Sequence, residues 1–253
     1  MFEHIAFTAS PAEIAQDGLD ALVQRYGQHR LEEADVVVAL GGDGFMLQTL
    51  HATQDYQLPV YGMNRGTVGF LMNVYHEDDL MERLRDAERA EIHPLSMRVT
   101  TMNGEIQTAL AINEVSLLRS GPQAAKLRIS VDGRVRMDEL VCDGALLATP
   151  AGSTAYNYSA HGPILPIDAD VFALTALNAF RPRRWRGALL PQKALVKFEV
   201  LQSDKRPVRA DADSKSFDEV QSVEITSENS ITHRLLFDPG HGLEERLIRE
   251  QFV

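Results

Sequence analysis

An uninterrupted apolar run, Val36-Val37-Val38-Ala39-Leu40, ends abruptly in Gly41-Gly42-Asp43-Gly44. Three β-branched residues with no polar alternation suit a parallel strand covered on both faces, and parallel strands need crossover connections, usually helices. Helix-compatible apolar residues follow at once in Phe45, Met46, Leu47 and Leu50. The chain is therefore expected to contain a strand, glycine turn and helix in succession, which places this region among α/β folds. The glycines remove the Cβ atoms that would keep a ligand from the backbone, and a helix N-terminus offers unpaired N–H groups to an anion. The pattern suits phosphate, although no Gly-Lys-Ser/Thr follows and no G-x-G-x-x-G is present. The same four residues also fit a tight turn with Asp43 as helix N-cap. A carboxylate beside a polyphosphate is repelled unless it holds a metal ion or faces a hydroxyl that must lose a proton. Either alternative would make Asp43 catalytic.

The first third of the chain continues this texture. Residues 4–7 predict a strand, and Ser10-Pro11 predicts a helix start with Ile14, Leu19, Leu22 and Val23 directed inward. Residues 58–62 predict another short strand, and residues 77–90 another helix burying Leu80, Met81 and Leu84. From about residue 95 the pattern changes to strands split by turn dipeptides. Asn103-Gly104 separates residues 97–100 from 106–111, and Asp132-Gly133 follows residues 127–131. Asn-Gly and Asp-Gly supply the positive φ values of two-residue hairpins. Residues 195–201 and 220–226 continue the strand pattern, and residues 243–250 return to helical spacing.

Composition narrows the function. With 36 acidic against 25 basic residues the formal charge is −11, which argues against a nucleic-acid partner, because phosphate backbones are held by clustered Lys and Arg. Cys142 is the only cysteine, so no intrachain disulfide forms and a reducing compartment fits. Residues 1–7 lack a basic leader, and no stretch approaches the roughly 20 apolar residues of a membrane-spanning helix. The expectation is an untargeted, cytoplasmic protein without a membrane partner. Its one basic cluster, Arg181-Pro182-Arg183-Arg184-Trp185-Arg186, fits a solvated turn, and equally a receiver for an anionic donor or a partner subunit.

Two further segments carry polar groups suited to a nucleoside. Asn113 and Glu114 interrupt the apolar residues 111–118. Asn both donates and accepts, and a carboxylate accepts from ribose hydroxyls, although a strand with two solvated polar residues would look the same. The longer segment begins at Asp143-Gly144 and passes through Thr149-Pro150-Ala151-Gly152-Ser153-Thr154-Ala155-Tyr156-Asn157-Tyr158-Ser159. Its small hydroxyl residues suit phosphate or ribose, and Tyr156 suits stacking on a base. A Ser/Thr-capped helix with core tyrosines is the structural alternative.

In this order, Gly41-Gly42-Asp43-Gly44, residues 64–71, Asn113-Glu114, Asp143-Gly144 and residues 149–159 resemble the NAD kinase family, over about residues 34–237. Gly-Gly-Asp-Gly alone is shared with phosphofructokinases and diacylglycerol-type lipid kinases. The Thr-Pro-x-Gly-Ser-Thr-Ala-Tyr stretch is far more specific. The resemblance implies a Rossmann-like α/β domain over residues 1–92, with residues 237–253 packing back on it. It further implies a β-rich, mostly antiparallel β-sandwich domain over residues 93–236, with a dinucleotide held between the two domains. Asp43 would be the general base on the adenosine 2′-hydroxyl of NAD, with Gly44 against the ligand and Phe70 close to the adenine. Asn113 and Glu114 would hold nucleoside groups, and Asp143 the nicotinamide side. Ala151, Thr154, Ala155, Tyr156, Asn157, Tyr158 and Ser159 would line the adenosine pocket. Such enzymes use a divalent metal, usually Mg²⁺, with ATP or in some members polyphosphate. They form homo-oligomers, dimers or tetramers, in which a neighbouring subunit often completes the site.

Departures from the family pattern are His161, where Gly is common, and Arg209-Ala210-Asp211-Ala212-Asp213, where Asp-Gly is frequent. The second departure leaves Asp211 and Asp213 without an assigned role. The chain starts almost at its first strand, without the long extension of eukaryotic members, and resembles the bacterial type. The alternatives to a dinucleotide kinase are a lipid or other small-alcohol kinase sharing the glycine loop, and a non-catalytic NAD-binding sensor.

Overall fold

The computed structural model describes residues 2–66 and 69–252. The chain divides into two compact units, Met1–Ile92 with Ile231–Val253, and His93–Ser230. Among the described residues no helix is long and apolar enough to cross a membrane.

The first unit is an α/β layer structure. Its sheet runs in the order Ile5–Ala9, Val36–Gly41, Val60–Asn64, His233–Phe237, Glu88–Ile92, with the short strand Asn73–Val74 also paired to Val60–Asn64. Every pairing is parallel except the last strand on the path, Glu88–Ile92. All six residues of Val36–Gly41 are buried, as a parallel strand with two covered faces requires. The helix Glu13–Tyr26 buries Ala15, Gly18 and Leu22, and Asp43–Ala52 buries Met46, Thr49 and Leu50.

Several sequence expectations are corrected here. The first helix starts at Glu13 with Ala12 as its N-cap, so Ser10 does not cap it. Ile14 is 51% exposed, because the buried stripe runs through Ala15, Gly18 and Leu22. The helix expected over 77–90 spans only Leu80–Asp86, and Glu88–Ile92 is a strand. Leu80 and Leu84 are fully buried four residues apart, each contributing about 1.5–3 kcal/mol. Their spacing marks the helix but not its end. That end is decided by antiparallel pairing with His233–Phe237, about 140 residues further on. The same pairing brings the chain back to the first unit at Ile231, earlier than the expected return at 237.

The second unit contains two six-stranded sheets, and every ladder in them is antiparallel. One sheet runs in the order Arg134–Cys142, Ala125–Val131, Val196–Val200, Val220–Ser227, Leu95–Thr101, Ile106–Ala111. The other runs Gly187–Pro191, Val171–Leu177, Gly144–Ala148, Glu114–Arg119, Val208–Ala212, Lys215–Phe217. A single apolar core draws on both, joining Met97, Leu127 and Phe198 of the first to Leu117, Leu147 and Phe172 of the second. At Asp132-Gly133 both residues have positive φ, 51° and 74°, as a two-residue hairpin demands. At Asn103-Gly104 only the glycine does, at 83°. That loop is longer and is closed by the Asn103 carboxamide, whose oxygen accepts the Glu105 N–H at 3.0 Å. Asn113 and Glu114 do not interrupt one strand. Ile106–Ala111 ends before them and Glu114–Arg119 begins at Glu114, so residues 112–113 carry the chain from one sheet to the other.

Candidate active site

In the first unit the strand Val36–Gly41 delivers its glycine turn to the helix Asp43–Ala52. Gly42 is the N-cap, and its carbonyl accepts the N–H groups of Phe45 and Met46 at 3.0 Å each. Asp43 is therefore not a cap but the first helical residue. A Cβ on Gly41 would come within 2.9 Å of the Phe45 Cβ, so that glycine serves internal packing. At Gly42 and Gly44 a Cβ would meet no atom within 4 Å, which leaves these two as the glycines that open the turn to a ligand.

The Asp43 carboxylate reaches across to a segment 27 to 28 residues further along. Oδ2 accepts the Phe70 N–H at 2.6 Å and Oδ1 accepts the Leu71 N–H at 2.8 Å. Gly69 permits the approach, because a Cβ there would fall 2.4 Å from Asp43 Oδ1. Two amides hold the carboxylate plane in one orientation and still leave oxygen lone pairs for a third donor. Phe70 is half-buried and, with Arg65, Tyr75, His241 and Arg246, lines a cavity of about 610 Å³. Of the family-like segment 64–71, Thr67 and Val68 lie outside the described residues.

In the second unit, two separate segments converge on Asn113-Glu114. The Asp213 carboxylate accepts the N–H groups of Ile112 and Asn113 at 2.7 and 2.9 Å. The Thr149 hydroxyl donates toward the carbonyls of Ile112 and Asn113 at 2.8 and 3.2 Å, and accepts the Gly152 N–H at 3.0 Å. Gly152 is required by close approach, because a Cβ would sit 2.2 Å from the Asn113 carbonyl oxygen. The turn continues as a 3-10 segment, Ala151–Thr154, and a single helical turn, Tyr156–Ser159. Burial first, and then the Asp213 charge, push the Glu114 carboxyl up to about 8, against the opposing pull of the Tyr156 N–H. Its Oε2 is buried without a hydrogen-bond partner.

Two side chains of this segment are committed to internal hydrogen bonds. Asn157 is fully buried, and its carboxamide is used internally: Nδ2 donates to Ser153 O and Pro163 O, and Oδ1 accepts from Thr175. Ser153 is likewise buried, donating to Pro150 O and accepting the Leu165 N–H. Both side chains brace the turn. Ala151 is buried beside them, Thr154 and Ala155 are half-buried, and Tyr158 is 42% exposed.

Asp143, Tyr156 and Ser159 line one cavity of about 870 Å³. The Asp143 carboxylate accepts from Asn178 Nδ2 at 2.9 Å and from Arg119 Nε at 2.7 Å, and these two partners hold its pKa below the usual carboxylate range. Burial, followed by the Glu114 charge, raises that of Tyr156. The cavity wall also includes Arg119, Arg184, Arg186 and Arg209, so part of the basic cluster faces the same space as the expected nucleoside contacts. His161 is on the rim with φ 62°. A left-handed backbone at this position explains why glycine suits it. Arg209 pairs with Asp211 at 3.2 Å, and the Ser216 hydroxyl donates to the same buried carboxylate. Arg119, Asn178, Arg209 and Asp213 were not identified from sequence as site residues. No local motif marks them: Arg119, Asn178 and Asp213 act on groups brought close only by strand pairing, and Arg209 is held by Asp211 two residues along its own strand.

Among the described residues no group of three or more His, Cys, Asp and Glu could cage a metal ion. A Mg²⁺ ion usually keeps several waters and is held by one or two carboxylates together with substrate phosphates. A lone oriented carboxylate at the glycine turn, Asp43, fits that mode.

A glycine turn bearing an aimed carboxylate in one unit, and a cavity of about 870 Å³ walled by arginines in the other, are features suited to a phosphotransferase acting on a nucleotide. Comparison with known proteins makes this specific. Residues 2–92 match the ATP-NAD kinase N-terminal domain and residues 112–234 the ATP-NAD kinase C-terminal domain. An NAD kinase of Cereibacter sphaeroides is 68% identical over 251 residues, covering 99% of each chain. A crystal structure of an NAD kinase from Archaeoglobus fulgidus in complex with ATP superposes with a TM-score of 0.75 at 25% identity, covering 98% of this chain and 97% of that one. Yeast NADH kinase complexed with NADH shares the fold, with a TM-score of 0.85 at 19% identity over 99% of this chain and 87% of that one. The chain belongs to the NAD kinase family.

Proposed function

We propose that this protein is an NAD kinase, transferring the terminal phosphoryl group of ATP to the 2′-hydroxyl of the adenosine ribose of NAD, with NADP and ADP as products. The observation that carries this reading is the setting of Asp43, its two oxygens aimed by the amides of Phe70 and Leu71 beside two unobstructed glycines. Asp43 accepts the proton of the 2′-hydroxyl as that oxygen bonds to the terminal phosphorus and the bond from that phosphorus to the oxygen bridging it to ADP breaks. Phosphoryl transfer depends on positioning and charge stabilisation, so an oriented base and a glycine turn suffice from the protein. Mg²⁺ would be held by Asp43 together with donor phosphates, and its chemistry is neutralisation of charge on the phosphoryl oxygens.

The dinucleotide is assigned to the second unit. Asn113 and Glu114 take nucleoside groups, Tyr156 the face of a base, and Arg184 and Arg186 the diphosphate, which a chain of net charge −11 meets only through local cations. Gly44 and Phe70 belong to the same reading on the phosphate-loop side. Two antiparallel sheets around one core support describing the second unit as a β-sandwich. A homo-oligomer and a cytoplasmic location accompany this proposal. Cys142 is buried, and that burial pushes its thiol up to about 12.

The test is an assay matrix of purified protein with Mg²⁺, ATP or polyphosphate as donor, and NAD or NADH as acceptor, scored by NADP(H) formation. ATP with NAD should give NADP. Absence of product with every donor and divalent metal would sink the enzyme reading. Retained NAD binding in that case would point to a sensor, and phosphorylation of diacylglycerol to a lipid kinase.

A further inference from the structure

The segment that aims Asp43 is itself gripped from its other side. Phe70 and Leu71 give their N–H groups to the Asp43 carboxylate, and the carbonyls of Phe70 and Met72 accept from Arg246 Nη1 at 3.0 and 2.7 Å. Arg246 Nε donates to His241 O at 2.7 Å, and its guanidinium lies 5.0 Å from the ring centroid of the buried Phe237. The helix that carries it, Leu243–Glu250, is anchored by the buried Leu243 and Leu247. Three residues of backbone are thus fixed by a carboxylate on one edge and a guanidinium on the other. The side chains of Leu71 and Met72 are buried beneath this segment, so the carboxylate and the guanidinium fix backbone whose side chains are already held in the core.

We infer that Arg246 is a positioning residue for the phosphoryl-transfer step, setting the orientation of Asp43 through the backbone of residues 70–72. The inference rests on Asp43 being the base. A guanidinium suits the task because its fixed fork serves three carbonyls while its plane stacks on an aromatic ring, and a lysine ammonium cannot reproduce that arrangement. A base displaced by a fraction of an ångström loses transition-state stabilisation without losing ground-state binding. The effect of Arg246 therefore belongs in kcat and not in KM.

The experiment compares wild type, Asp43→Asn, Arg246→Ala and Arg246→Lys in steady-state NADP formation, with hydrogen exchange at the Phe70 and Leu71 amides and thermal melting. Arg246→Ala should lower kcat roughly 10- to 100-fold, leave KM for NAD within about threefold, and speed exchange at both amides. Arg246→Lys should recover part of the kcat. A kcat within about twofold of wild type, or a loss carried by KM alone, would overturn the inference. If Arg246→Ala does not fold, Arg246→Lys decides: lowered kcat at unchanged KM and near-native melting supports it, and wild-type kcat overturns it. Asp43→Asn separates the two claims. Full turnover in that variant removes the base reading itself, whereas its inactivity beside an unaffected Arg246→Ala removes only the role of Arg246.

Discussion

Each unit contains an aspartate that grips two consecutive backbone amides, and the two grips do opposite work. Asp43 is held by Phe70 and Leu71, and Asp213 by Ile112 and Asn113, at nearly equal distances. Asp43 stands between two glycines whose Cβ positions meet no atom, so the amides aim the carboxylate at what approaches the turn. Asp213 sits in the turn between Val208–Ala212 and Lys215–Phe217, with φ 48°, and its own N–H donates to the Glu114 carbonyl. There the carboxylate aims the backbone, and the group presented is its neighbour. One local motif serves as tool in one unit and as scaffold in the other, and the surroundings decide which.

The comparison breaks most readily at Asp43. Asp43→Asn should lower kcat by about 10²- to 10⁴-fold, the usual worth of a general base, while calorimetric NAD affinity stays within a few-fold. Asp213→Ala should behave in the reverse manner. Two charge-assisted bonds are worth roughly 3–6 kcal/mol together at full burial and less at this half-buried position, so denaturant unfolding should show a loss of a few kcal/mol and NAD should bind more weakly, with kcat at saturating NAD largely retained. A kcat collapse in Asp213→Ala at unchanged stability would erase the distinction between the two aspartates.

A smaller effect separates their neighbours. The folded pKa of Glu114, about 8, lies above its ordinary value of 4.5. The folded protein therefore holds a proton that the unfolded chain has released between those values. This stabilising contribution is complete below about pH 4.5 and is lost as pH rises through 8. Glu114→Gln, neutral throughout, should flatten that decline in melting temperature between pH 5 and 9, and parallel curves for the two proteins would refute a protonated buried Glu114. Smallest of all, Arg184→Ala and Arg186→Ala should each raise KM for NAD about 2- to 10-fold, as befits hydrogen bonds at exposed positions, with the difference shrinking in high salt. Salt-independent KM values would remove these arginines from the diphosphate.

Legibility from sequence followed the range of the interactions. The buried strand Val36–Gly41, the glycine turn, the hairpin at Asp132-Gly133 and the tail helix Leu243–Glu250 are each marked by a pattern within a few neighbouring residues, an apolar run, turn chemistry or helical spacing. The strand Glu88–Ile92 was misread as helix because its partner lies far along the chain. The internal role of the Asn157 carboxamide was hidden for a related reason, since it is committed to Pro163 and Thr175, which no spacing rule connects to it.

By itself, the sequence determined the class of chemistry: glycine beside a carboxylate at a helix start permits close approach of phosphate and a base, and those properties are local to the residues. It also determined that the second unit is built of hairpins, because positive φ and alternating burial are written in neighbouring side chains. Only the tertiary structure decided that Asp43 is oriented and not a cap, that Asp213 supports Asn113-Glu114, and that arginines from three separate segments share one cavity with Tyr156. Those outcomes depend on strand pairings and side-chain contacts spanning some 27 to 101 residues, whose partners are chosen by the packing of the whole unit and leave no periodic trace in the chain.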